Sequence, residues 1–139
     1  MSLHPRVLRD LLEAEADVAR ERLGDRVTNI SVGANNVEVH FIAHGVERRM
    51  RLTGADYDRR PLSLSFVDET GNPLPAEGWP PITTGGHHPV LGTPWTCLRG
   101  TLEYHLYAGH TAAADSWDAS RADLRVPDVI EHVLQRCTA

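Results

Sequence analysis

Hydrophobic positions at the start of the chain repeat with the period of a helix. From His4 to Leu23, apolar side chains recur every three or four residues, and charged side chains lie mostly between them. Pro5 suits the first helical position, and Gly24 suits the left-handed residue after the last one. The pattern predicts an amphipathic helix over residues 4–23. Its predicted apolar stripe consists of Leu8, Leu11, Leu12, Val18, Ala19 and Leu23.

The pattern then changes to strict alternation, which is typical of strands with one buried face. Val37, Val39, Phe41 and Ala43 alternate with residues that point the other way. Residues 46–52 and 62–66 form two further candidate strands, and residues 27–32 supply a short edge strand before them. Because short turns join successive strands, the sequence predicts an antiparallel four-stranded meander.

Glycine and proline dominate residues 68–94, so this segment is predicted to be a long loop. Trp79 and Trp95 favour an ordered loop that packs on the domain. Pro127 opens a last helix, whose predicted buried side consists of Val129, Ile130, Val133, Leu134 and Cys137. The predicted fold is therefore α+β: residues 1–139 form a single domain with an N-terminal helix, a meander, a Pro/Gly-rich loop with a Cys-bearing segment, and a C-terminal helix.

Charge and composition narrow the classes of function. The net charge of −5 argues against the basic face that nucleic-acid binding requires. No apolar run has the length of a membrane span, and the N-terminus lacks the apolar core of a signal peptide. The two cysteines, Cys97 and Cys137, are too few for a disulfide scaffold. These features predict a cytoplasmic protein with free thiols and no membrane or nucleic-acid partner.

Four residues of types that bind borderline-soft metal ions lie within one short segment: Cys97, Glu103, His105 and His110. Zinc accepts sulfur, nitrogen and oxygen donors in tetrahedral geometry. On an extended backbone, Glu103 and His105 would share one face, and a turn at Ala108 and Gly109 would bring His110 back toward them. Because a lone cysteine or histidine is usually structural, residue types and spacing alone leave metal binding and an ordinary structural role equally open.

His87 and His88 precede Pro89 in the glycine-rich loop. Three interpretations are open for them: additional metal ligands, groups on the substrate side of a site, or turn residues. The last of these is favoured. Motifs of other zinc and nucleotide enzymes, such as HExxH and GxxxxGK[ST], are absent from the sequence.

The spacing Cys97-x5-Glu103-x-His105-x4-His110 resembles the predicted metal-binding family that is named for its Cys-Glu-His-His signature. That family occurs in bacterial gene neighbourhoods with ubiquitin-like proteins, activating and conjugating enzyme homologues, and JAB-type peptidases. The resemblance covers this segment and implies zinc as cofactor, with all four residues as ligands. It also implies a ubiquitin-like protein and activating or conjugating enzyme homologues as partners.

The order of elements also resembles the ubiquitin-conjugating enzyme fold, loosely and over most of the chain. There, a helix and a four-stranded meander precede a His-Pro-Asn loop and the catalytic cysteine. Here His88-Pro89-Val90 precedes Cys97 at a similar distance. Val90 departs from the pattern, because valine has no side-chain donor for an oxyanion. The departure makes a lysine-directed ligase step doubtful but leaves a thioester on Cys97 open.

Three functions follow as expectations. The first is a zinc-binding protein of a bacterial ubiquitin-like conjugation pathway, in which Glu103 is either the fourth ligand or a group that orients a histidine. The second is an active conjugating-type enzyme that carries a ubiquitin-like protein as a thioester on Cys97. The third is a non-catalytic binding module in which the cluster only stabilises the fold. The first two functions compete for the same sulfur atom.

Overall fold

Helix α1 spans the nineteen residues Pro5–Leu23, as the 3.6-residue repeat of apolar positions predicts. The structure, a computed structural model, describes residues 3–82, 84, 86–110 and 112–139. His4 caps the helix, because its Nδ1 accepts a hydrogen bond from the Arg6 N–H at 3.2 Å. One part of the predicted stripe is wrong: Val18 is 48% exposed, whereas Glu15 is buried.

Four antiparallel strands follow in chain order and form one sheet, β1-β2-β3-β4. The strands are β1 (Asn29–Val32), β2 (Asn36–Ala43), β3 (Val46–Thr53) and β4 (Ser63–Phe66). Val39 of β2 lies opposite Met50 of β3, which in turn lies opposite Phe66 of β4. All three side chains are buried, so the register aligns the apolar positions on one face. The predicted meander is confirmed.

The rest of the chain is mostly irregular, with short helical segments. Among the described residues of the predicted loop over 68–94, the helical structure is one 3₁₀ turn at Ala76–Gly78; Thr83 and Gly85 of that loop lie outside the described residues. Both tryptophans of the loop region, Trp79 and Trp95, are buried as predicted. The later elements are helix α2 (Leu102–Leu106), a 3₁₀ turn (Ala113–Asp115), helix α3 (Trp117–Ser120) and helix α4 (Val126–Thr138).

Helices α1 and α4 pack against each other and against the sheet, α1 on β1 and β2 and α4 on β2. The core between them includes Leu12, Phe41, Met50 and Ile130, which are fully buried. Cys137 also lies in this core, as the pattern of α4 predicts. The described chain is thus a single α+β domain with the expected helix, meander and helix. In its described part, no helix is both long and apolar enough to cross a membrane.

Candidate functional site

Cys97 lies at the surface, in a turn that leads from the long loop into α2. Its thiol is free and exposed, whereas Leu98 beside it is buried. The turn closes through a hydrogen bond from the Thr101 N–H to the Leu98 carbonyl, at 3.2 Å. Gly100 has a φ of +101°, and a side chain there would lie 3.0 Å from Val129. Glycine is therefore needed for the turn that presents Cys97.

The segment after this turn is helix α2 and not a strand. Thr101 caps the helix, because its hydroxyl oxygen accepts from the Tyr104 N–H at 3.4 Å. The extended backbone predicted for Glu103 and His105 is therefore wrong. Two residues apart in a helix, their side chains diverge by roughly 160°. The Glu103 side chain is directed into the protein and that of His105 toward the 113–115 turn.

The Glu103 side chain forms hydrogen bonds with the sheet and not with the other three candidate residues. It is 2% exposed, and its two carboxylate oxygens accept from the Ser63 hydroxyl at 2.6 Å and the Leu64 N–H at 2.9 Å. Burial raises the pKa of this carboxyl, and the two hydrogen bonds oppose that rise. Glu103 therefore fastens α2 to β4, which holds the segment between Cys97 and His110 against the domain.

Because its folded-state pKa is raised, Glu103 should make the protein less stable as the pH rises. Below the ordinary carboxyl pKa the protonated form contributes fully, and the contribution is lost as the pH passes through the raised value. Glu103→Gln keeps both hydrogen-bonding partners without ionising. We expect the stability of this variant relative to wild type to increase between pH 4 and pH 8, measured by urea denaturation. A stability difference that is constant over this range would contradict the assignment.

His105 has both ring nitrogens engaged. Its Nδ1 donates to the Asp115 carbonyl at 2.8 Å, and its Nε2 accepts from the Gly100 N–H at 3.2 Å. Burial lowers the pKa of His105, as do the nearby charges of Arg99 and His110. This pattern describes a neutral imidazole that holds the Cys97 turn to the 113–115 turn. In this conformation His105 has no free nitrogen for a metal ion.

His110 does return to the site, through the predicted turn. The chain reverses at Ala108 and Gly109, where the His110 N–H donates to the Tyr107 carbonyl at 3.0 Å. The ring Nδ1 then donates to the Tyr104 carbonyl at 2.8 Å. Because a carbonyl oxygen can only accept, Nδ1 carries the hydrogen and a neutral ring presents a lone pair at Nε2. That nitrogen lies 3.7 Å from the Sγ atom of Cys97.

Tyr104 orients the His110 imidazole in two ways. Besides its carbonyl contact, its ring stacks on the imidazole with centroids 3.7 Å apart and an interplanar angle of 17°. The Tyr104 hydroxyl donates to the Asp115 carboxylate at 3.1 Å. A thiol, an imidazole beside it and a third group that fixes the imidazole form the arrangement of an activated cysteine nucleophile.

Two arginines form hydrogen bonds with the segments next to this pair. Arg136 of α4 donates to the Cys97 carbonyl at 2.8 Å. The Arg99 guanidinium donates to the Ser120 hydroxyl at 3.0 Å and to the Ala114 carbonyl. Sequence reasoning missed Tyr104, Asp115 and both arginines. Tyr104 lies six residues before His110, on the other side of a glycine turn, and no sequence pattern marks a residue at that distance.

His88 is a turn residue, as favoured from the sequence. It is 1% exposed, and its Nδ1 accepts from the N–H groups of Val90 and Leu91, both at 3.1 Å. Its Nε2 donates to the Glu103 carbonyl at 2.8 Å. Both nitrogens are thus occupied, and the two N–H groups are unavailable to an oxyanion. His87 is exposed.

The structure thus brings together Cys97 and His110, keeps His105 beside them in other hydrogen bonds, and directs Glu103 away. Within the described residues, no three His, Cys, Asp or Glu side chains are grouped to hold a metal ion. The fold and site define a small α+β domain with an exposed cysteine–histidine pair. No protein-family model and no curated protein sequence matches the chain.

Proposed function

We propose that the chain carries a ubiquitin-like protein as a thioester on Cys97, in a bacterial ubiquitin-like conjugation pathway. The observation that carries this proposal is the 3.7 Å separation between the exposed Cys97 thiol and the Nε2 lone pair of His110. The order of elements around Cys97 supports it, since this order is similar to that of ubiquitin-conjugating enzymes. The partners are a ubiquitin-like protein and its activating enzyme, in the reducing cytoplasm.

In the proposed reaction, the thiolate is the nucleophile and His110 receives the thiol proton. The sulfur attacks the thioester carbonyl on the activating enzyme, a new C–S bond forms, and the enzyme's thiolate leaves. Tyr104 and its contact with Asp115 keep the imidazole in place during the transfer. Cys137 takes no part, because it is fully buried and burial raises the pKa of its thiol to about 11.

The direct test mixes the chain with ATP, a bacterial ubiquitin-like protein and the activating enzyme of that protein. We expect an adduct on non-reducing gels that dithiothreitol removes. Cys97→Ala should abolish the adduct, because the carbonyl has no sulfur left to attack, and Cys137→Ala should keep it. An adduct that survives in Cys97→Ala, or no adduct with competent partners, would contradict the proposal.

Zinc binding by the same pair is the second candidate. A tetrahedral zinc ion with Zn–S of about 2.3 Å and Zn–N of about 2.0–2.1 Å separates the two donor atoms by about 3.6 Å. The Cys97–His110 distance of 3.7 Å matches this edge. Glu103 and His105 do not fit as the remaining ligands in this conformation, because all four of their donor atoms are hydrogen-bonded elsewhere. The zinc candidate therefore requires His105 to exchange its partners, or requires donors from outside the chain.

Metal analysis separates the two candidates. If zinc is the function, protein purified without chelators should contain about one zinc ion per chain, and His110→Gln and Cys97→Ala should each reduce that content. Glu103→Gln is the matched control, because the hydrogen bonds of the Glu103 carboxylate are with β4. A metal-free wild-type protein that forms the thioester excludes the zinc candidate, whereas stoichiometric zinc and an unreactive thiol exclude the first proposal.

A further inference from the structure

The charged groups around Cys97 affect which kind of nucleophile can accept its acyl group. Two guanidinium groups are held at the segments that flank the thiol, those of Arg99 and Arg136. Arg136 is held at the Cys97 carbonyl, 2.8 Å from its oxygen. Arg99 is fixed over the 113–115 turn by Ser120 and Ala114. An acceptor that approaches the sulfur therefore enters a part of the surface where the Arg136 guanidinium is bonded to the Cys97 backbone.

Few carboxylates offset this positive charge. Glu103 is buried beneath α2 with both oxygens bonded. Asp115 accepts from the Tyr104 hydroxyl, and among the described carboxylates it alone touches a residue that orients His110. No described carboxylate forms a hydrogen bond or an ion pair with the Cys97 thiol or the His110 ring. A lysine side chain arrives as an ammonium ion at neutral pH and is repelled by this surface.

The proton acceptor at the site favours a neutral nucleophile as well. Once Cys97 is acylated, Nε2 of His110 no longer faces a thiol and stands beside the thioester. An imidazole removes the proton of a hydroxyl efficiently while the oxygen attacks a carbonyl. It is a weaker base than a lysine amine, so it does not readily deprotonate an ammonium ion.

We infer that the acyl group on Cys97 is transferred to a hydroxyl acceptor and not to a lysine amine. This inference rests on the proposed thioester function and specifies its acceptor. The hydroxyl oxygen attacks the thioester carbonyl, a C–O ester bond forms and the C–S bond breaks. The hydroxyl proton passes to His110 Nε2 and from there to the leaving thiolate, which restores the Cys97 thiol.

A synthetic acyl donor tests this inference without the protein partners. The full chain is acylated with a short peptide ending in Gly-Gly, supplied as its mercaptoethanesulfonate thioester, and the excess donor is removed. The acyl-protein is then mixed at pH 7 with N-acetyl-serine methylamide, N-acetyl-lysine methylamide or glycerol. Intact mass reports the loss of the acyl group, and product mass distinguishes ester from amide. The chain contains no lysine, so no lysine side chain of the protein competes with the added lysine compound to form an amide.

We expect the serine compound to discharge Cys97 at least about tenfold faster than the lysine compound, with an ester as product. His110→Gln should slow the serine reaction at least about tenfold and leave the slow lysine reaction unchanged. If the serine compound discharges Cys97 faster than glycerol does, the acceptor is assigned as a protein side chain. If glycerol discharges Cys97 at least as fast as the serine compound, the acceptor is assigned as a small alcohol. Both outcomes support the hydroxyl class.

Two results would overturn the inference while the thioester function stands. One is lysine discharge as fast as serine discharge, particularly if Asp115→Asn removes it, because Asp115 would then be the group that attracts the ammonium. The other is discharge at one rate whatever acceptor is added, because water would then be the acceptor. Failure of Cys97 to take up the peptide at all would overturn both proposals.

Discussion

Replacing Glu15 with alanine is expected to lower the free energy of unfolding by about 3 kcal/mol, which is one of the two largest effects that we predict. Glu15 is a buried carboxylate on α1 that joins three parts of the chain. It accepts from the Tyr57 hydroxyl at 2.7 Å, from the Val126 N–H at 2.9 Å and from the Arg125 guanidinium. Its removal leaves three donors without their acceptor at the point where α4 begins.

The charged groups of this cluster depend on one another. Arg125 also binds the Asp58 carboxylate, and its guanidinium lies 5.0 Å from the centroid of the Tyr57 ring. Burial, followed by the charge of Glu15, raises the pKa of Tyr57, so its hydroxyl stays protonated and remains a donor. Removing the carboxylate therefore costs more than one hydrogen bond, because a partly buried arginine is left with one carboxylate partner, Asp58, instead of two.

Thermal and urea denaturation measure the effect, which corresponds to a fall in melting temperature of about 10 °C for a chain of this length. Glu13→Ala is the matched control on the same helix. Its carboxylate is 42% exposed and lies 3.9 Å from Arg9, so we expect a loss of less than about 1 kcal/mol. Equal losses in the two variants would show that Glu15 contributes only helix propensity and not the contacts with α4.

Glu15 also shows where reasoning from sequence reaches its limit. Periodicity located α1 to within a residue, because a helix with one buried face must repeat its apolar positions. The same rule placed Val18 in the apolar stripe and did not include Glu15, whereas the structure exposes Val18 and buries Glu15. The reason is Arg125, 110 residues further along the chain, whose guanidinium meets the carboxylate at the edge of the core. No local pattern records such a partner.

The sheet was predictable because alternation determines both the strands and their register. Val37, Val39 and Phe41 must all face one side, and a shift by one residue would expose them. The short helix α2 was not predictable in this way, because its apolar residues also alternate with polar ones, as they do in a strand. These residues are Leu102, Tyr104 and Leu106. Thr101 is the signal that was overlooked, since a threonine followed by an acidic residue in the first turn is typical of a helix start.

The candidate site was predictable in part. The turn at Ala108 and Gly109 indicated that His110 would fold back, and it does, toward Cys97. The four-ligand arrangement required the Glu103 and His105 side chains to lie on one face. Helix α2 directs these two side chains to different sides. The group that orients His110 was also missed, because the contribution of Tyr104 includes a backbone carbonyl, which every residue type supplies. Its position can be found only once the helix and the turn are known.

Replacing His110 with glutamine is the other change for which we expect a large effect, a fall of about 10- to 30-fold in the rate at which Cys97 is acylated at pH 7, because an unassisted thiol is only a few per cent thiolate at this pH. The peptide thioester described above serves as the acyl donor, and intact mass follows the modified chain. In the wild type, the Nε2 lone pair 3.7 Å from the sulfur accepts the thiol proton. A glutamine amide is not a base at this pH, so the thiol would have to lose its proton to water.

His105→Gln is the matched control, since it changes the same residue type five positions earlier in the chain. Both nitrogens of His105 are engaged, by Asp115 and Gly100, so it has no lone pair to offer the thiol. We expect this variant to acylate within about threefold of wild type, because the change leaves the general base in place. Tyr104→Leu, which keeps the carbonyl but loses the stacked ring, should give an intermediate rate. Equal rates for the two histidine variants would mean that neither imidazole acts on the sulfur, and the Cys97–His110 contact would then be structural only.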